Sequence, residues 1–103
     1  MLSLIVYIPE SHLEEVKNAM FQAGAGKMGN YDSCAWQAKG EGQFRPLENS
    51  NPYLGTQGTI EKVPEWKVEL VCEDALIHQV IAAMKAAHPY ETPAYLVGKP
   101  LEI

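Results

Sequence analysis

The sequence predicts an α+β sandwich built from two successive β-α-β units, a four-stranded antiparallel sheet with two helices on one face. Three observations carry that expectation. Period-2 apolar alternation occurs near residues 2–8 and 66–72. Each of these runs is followed by a stretch with helical periodicity, and each helical stretch leads into a further alternating run. The resulting order, strand-helix-strand twice over, is the plan of a ferredoxin-like fold. Residues 1–103 are expected to form one domain, because single cores usually take ~100–150 residues.

Leu2, Leu4, Val6 and Ile8 alternate with Ser3, Ile5 and Tyr7, and Pro9 stops this first strand. In SHLE, Ser11 to Glu14, the hydroxyl and the carboxylate are spaced as a capping box. The helix that follows carries Leu13, Val16, Met20 and Ala23 on one face, and Gly24 is placed to end it. GAGKMG, Gly24 to Gly29, follows a helix instead of opening one and lacks phosphate-loop spacing, so it reads as a helix C-cap and tight turn. Cys34, Trp36 and Ala38 alternating with Ser33, Ala35 and Gln37 predict the second strand.

Residues 40–62 hold much of the Gly, Asn and Pro and form a long connection between the second and third strands, whose flanks near Phe44 and Ile60 can extend those strands as a hairpin arm. Connections of this length are usually functional or disordered. Trp66, Val68, Leu70 and Cys72 predict the third strand. Glu73 and Asp74 suit a helix N-terminus, and Leu76, Ile77, Val80, Ile81, Met84 and Ala87 give the second helix a broad apolar stripe. Pro89 ends that helix at or before His88, and a last strand runs through Tyr95 and Val97 to about Gly98. With both helices on one face, Ile5, Tyr7, Ala35 and Val71 fall on the other, and burying them against a second copy predicts a homo-oligomer.

The formal net charge of −5 comes without any run of Lys or Arg, which argues against nucleic acid as a partner. No segment approaches the ~18 apolar residues of a membrane span. Residues 1–8 lack the basic flank and cleavage site of a leader, so a soluble cytoplasmic protein with no membrane partner is expected. Cys34 and Cys72 match no metal or disulfide spacing and are expected to be reduced.

Two motifs carry the candidate chemistry. In AHPYETPAY the prolines stiffen a kinked turn, and His88 and Glu91 flank Pro89 and Tyr90. These two groups could hold a divalent metal ion or form an acid/base pair, and the alternative is a structural turn with Tyr90 and Tyr95 packed at an interface. A single chain offers only two metal ligands there, so His12, His78 or a neighbouring subunit would have to complete a site; taken alone, His12 and His78 read as surface helix residues. In NPYLGTQG, Asn51, Tyr53, Gly55, Gln57 and Gly58 offer turn geometry and backbone N–H groups that could cradle an anion or a partner's edge, against the alternative of a mobile hairpin tip.

Taken in order, GAGKMGNYDSCAWQAKGEGQFRP, NPYLGTQG and AAHPYETPAY resemble the domain inserted into YqfO-type members of the NGG-interacting-factor-like family, over roughly the whole chain. That domain is similar to PII signalling proteins and to the CutA divalent-cation tolerance proteins, and YETPAY also looks like the Tyr-Glu-x-Pro segment near the CutA C-terminus. The resemblance implies a PII/CutA-like trimer whose loop at residues 40–62 and neighbouring inter-subunit cleft are the candidate sites, the loop also serving a protein partner. By the same resemblance, the larger family's dimetal centre belongs to flanking domains whose ligands have no counterpart in these residues, so a free-standing copy of the accessory domain is expected.

The expected function is therefore a non-enzymatic regulatory or binding domain that takes a small ligand at Asn51, Tyr53, Gly55, Gln57, Gly58 and Tyr90, or a divalent metal at His88 and Glu91. One alternative is a small hydrolase-like enzyme that uses His88 as general base with Glu91 or Tyr90. Another is an interaction protein that pairs with a separately encoded catalytic subunit.

Overall fold

The computed structural model describes residues 1–103. The elements run β1 (Leu2–Pro9), α1 (Leu13–Gln22), β2 (Trp36–Phe44), β3 (Glu61–Cys72), α2 (Ile77–Ala87) and β4 (Tyr95–Gly98), with short 3-10 turns at Glu10–His12 and Asp74–Leu76. The sheet order is β2-β3-β1-β4 and every neighbouring pair is antiparallel. The predicted ferredoxin-like sandwich is therefore the observed one. No helix is long and apolar enough to cross a membrane.

The core lies between the helices and one sheet face. Val16 and Met20 of α1 and Val80 and Met84 of α2 are fully buried against Leu4, Val6, Ile8 and Val68, each side chain contributing roughly 1.5–3 kcal/mol by leaving water. The Gln79 amide donates to the Ala23 carbonyl at 2.8 Å, fastening α2 to the end of α1.

Beyond the pairing of Pro9 with Glu65, β1 no longer accompanies β3, so Glu61–Pro64 and Glu41–Phe44 pair only with each other. They form the arm expected from the flanks of the long connection, and Pro64 sits where β3 has a free edge.

Two local expectations are corrected. Ser11 lies inside the 3-10 turn, with its hydroxyl 2.8 Å from His12 Nδ1, and α1 starts from His12 without a side-chain cap. The capping box does not form because the chain is already turning when it reaches Ser11. The second strand begins at Trp36, since Ser33 has φ +55° and the Cys34 amide donates to the Gly26 carbonyl at 2.9 Å. That tie delays entry into the sheet, so Trp36 takes the face that was expected for Ala35.

Gly26 holds this junction. Its φ is +78°, its amide donates to the Val71 carbonyl at 2.8 Å, and an added Cβ would meet the Cys34 carbonyl oxygen at 2.9 Å. Gly26→Ala is expected to cost about 1–3 kcal/mol, read as a lower urea midpoint with unchanged slope. An unchanged midpoint would show that the turn relaxes freely.

Candidate functional site

The turn after α2 is held by a histidine whose two ring nitrogens are both in use. His88 closes α2, its amide donating to the Met84 carbonyl at 2.9 Å, and Pro89 prevents continuation. The ring is 5% exposed. Nε2 lies 2.9 Å from the Tyr7 carbonyl oxygen, which can only accept, so Nε2 carries the proton. Nδ1 then accepts the Tyr90 amide at 3.2 Å. This is a neutral imidazole stitching the turn to β1. Burial is the main influence on its pKa and lowers it below the ordinary histidine value, more than the Tyr7 carbonyl raises it.

Fixing His88 places Tyr90 among other rings. Its centroid is 5.0 Å from that of His88, 5.8 Å from Phe44 at the end of β2, and 6.4 Å from Tyr53 in the long loop. Tyr53 meets His12 edge-on at 5.7 Å. These separations suit offset or edge-to-face packing. The Tyr90 hydroxyl is buried without a hydrogen-bond partner. Burial first, and the neighbouring Glu65 carboxylate next, raise its pKa well above the ordinary phenol range.

Glu91 joins the turn to the loop: its Oε2 accepts the Asn51 amide at 2.8 Å. The two sequence motifs, 40 residues apart, thereby border one half-open pocket of about 270 Å³. Its walls include Tyr7, Phe44, Tyr53, Glu65, Tyr90 and Glu91.

Of the expected ligand residues, Tyr53 and Tyr90 line this pocket and Asn51 fastens its rim. Gly55, Gln57 and Gly58 are exposed and do not line it. The Gln57 amide instead donates to the Ser50 carbonyl at 3.4 Å, and the Gly58 amide to the Pro46 carbonyl at 2.7 Å, so both shape the loop. The anion that the Asn51 amide binds is the chain's own Glu91. Sequence reasoning missed Glu65, whose only signal was a charge interrupting the third strand next to Trp66. It singled out Tyr7 and Phe44 for other reasons, as an open-face residue and a hairpin flank.

His88 and Glu91 do not make a cation site within this chain. Both imidazole nitrogens are committed, one carboxylate oxygen is taken by Asn51, and no group of three or more His, Cys, Asp or Glu could hold an ion. A general-base role for His88 meets the same obstacle, because its only unprotonated nitrogen already accepts the Tyr90 amide.

No family model matches the chain. It is 45% identical over 92 residues to a GTP cyclohydrolase 1 type 2 homolog of Halalkalibacterium halodurans, covering 89% of this chain and 25% of that protein. The Mycobacterium tuberculosis protein of the same name is 44% identical over 91 residues, covering 88% and 24%. Among solved structures, a Bacillus cereus protein related to NIF3 superposes with a TM-score of 0.81 at 39% identity, over 94% of this chain and 24% of that one. CutA1 from Pyrococcus horikoshii superposes with a TM-score of 0.71 at 17% identity, over 100% and 86%, a likeness of fold. The chain thus spans about a quarter of the relatives it matches in sequence and most of a CutA chain.

Proposed function

This chain is a relative of the NIF3-like GTP cyclohydrolase 1 type 2 homologues over about a quarter of their length, and from that premise we propose that it is a PII/CutA-like binding domain of a cytoplasmic protein, taking a small ligand in the pocket between the Asn51 loop and the His88 turn. The observation that carries this reading is the bond from the Asn51 amide to Glu91, which joins two distant loop segments around an aromatic-walled cavity. Pockets of that kind, mostly apolar with a few convergent polar groups, are where small ligands bind. The relatives' cyclohydrolase name describes proteins of which this chain matches a quarter, so no cyclohydrolase step is assigned to this pocket.

The domain, residues 1–103 acting as one unit, is proposed to assemble with copies of itself through the open sheet face. Trp36, Glu69, Ile5 and Leu96 form one row across all four strands there, and Trp36 and Leu96 are 58% and 62% exposed. A trimer is the form that this fold type suggests.

The test is a thermal-shift screen with small cations, neutral molecules and anions, run on the wild type and on Tyr53→Ala. A ligand at 100 times its Kd stabilises by about 2.7 kcal/mol, several degrees for a chain this size. At least one compound is expected to raise the wild-type Tm and to lose that effect in Tyr53→Ala. A screen with no shift would count against the ligand-pocket reading.

A further inference from the structure

The charged groups lining the pocket are all acidic. Glu65 and Glu91 contribute carboxylates, and no Lys, Arg or His is among the lining residues. The loop amide best placed to neutralise an incoming anion, that of Asn51, is already given to Glu91 at 2.8 Å. An anionic ligand would therefore meet two carboxylates with little to offset them, in a chain whose net charge is already −5.

The remaining walls suit the opposite charge. Phe44, Tyr53 and Tyr90 present three rings around the cavity, with Tyr90 5.8 Å and 6.4 Å from the other two. Ring faces are electronegative and attract cations within about 6 Å of the centroid. Beside them, the buried Tyr90 hydroxyl lies next to the Glu65 carboxylate on the pocket wall. The volume, about 270 Å³, lies just under the ~300–1,000 Å³ of drug-sized sites, which limits the occupant to a small molecule.

We propose that the pocket takes a small organic cation carrying an ammonium group, caged by Phe44, Tyr53 and Tyr90 and neutralised by Glu65 and Glu91. This rests on the reading of the pocket as a ligand site. Glu65 supplies the charge from β3, its side chain reaching past its register partner Gly40 to lie over Gly42 of β2. Gly42 leaves room for it: an added Cβ there would collide with Glu65 Oε1. Gly42→Ala therefore displaces the carboxylate without removing it.

Three probes of one shape and different charge test the proposal by calorimetry on the full chain: choline, the neutral 3,3-dimethylbutan-1-ol and the anionic 3,3-dimethylbutanoate. Choline is expected to bind at least about tenfold more tightly than the neutral analogue, and less tightly as salt is added. Glu65→Gln and Gly42→Ala are each expected to remove most of that preference while keeping a cooperative thermal transition. Equal or tighter binding of the neutral or anionic analogue would overturn the cation assignment and leave a ligand pocket standing. Absence of binding by all three would also overturn it, and the broader thermal-shift screen then decides the pocket on its own.

Discussion

Replacing His88 with phenylalanine is expected to lower stability by about 2–4 kcal/mol, although a flat aromatic ring is kept. The cost comes from leaving two groups in a buried place without partners, the Tyr7 carbonyl and the Tyr90 amide, at roughly 1–3 kcal/mol each. Against a total of about 5–15 kcal/mol for a domain, this is a large fraction. His88→Ala should lose at least as much, since it adds a cavity. Chemical denaturation of both variants separates the contributions: if phenylalanine restores wild-type stability, the ring is held by packing alone and the hydrogen-bond account fails.

The same residue sets a pH dependence. Its folded-state pKa lies below the ordinary histidine value because burial disfavours the charged form. Above about pH 6.5 the ring is neutral whether the chain is folded or not. Below that, the unfolded chain takes up a proton first, so stability falls with pH until the folded form is protonated as well. Protonation would also set an Nδ1–H against the Tyr90 amide. Urea midpoints measured from pH 7.5 to 5 should decline in the wild type, and His88→Phe should remove the part of that decline beginning near pH 6.5.

The second large effect concerns assembly. Trp36→Glu combined with Leu96→Glu places two charges at the ends of the row that crosses the open face, one beside Glu69 and one beside Ile5. In a self-associated protein these charges would be buried without partners, which typically costs several kcal/mol. Sedimentation is expected to show wild-type protein at a multiple of the 11.4 kDa chain mass and the double variant at 11.4 kDa with its fold intact. A wild type that sediments as a monomer at micromolar concentration would overturn the proposal that this face joins copies of the chain.

The order of elements was legible because apolar periodicity decides which side chains face a core, and here the core residues Leu4, Val6, Val68, Val80 and Met84 follow it. What escaped was set by contacts distant in sequence. Trp36 looked like an inward residue of an alternating strand, and only the tie from Cys34 to Gly26 shows why it faces outward. SHLE carried the spacing of a capping box, but the turn after Pro9 had already consumed Ser11. Both halves of the candidate site were picked out by composition, as glycine-rich and proline-rich turns. That they belong together could not be read from spacing, since the bond from the Asn51 amide to Glu91 spans 40 residues. The question raised by AHPYETPAY, turn or ligand site, divides by residue: His88 pins the turn, while Tyr90 and Glu91 face the pocket.

Whether the two motifs build one ligand pocket is decided by an amide chemical-shift map of isotope-labelled protein titrated with the same set of cations, neutral molecules and anions. At least one saturable ligand is expected, with shifts that cluster at Phe44, at residues 51–54 and at residues 90–94 together. Saturable shifts confined to another surface, or none at these three segments for any compound, would contradict it.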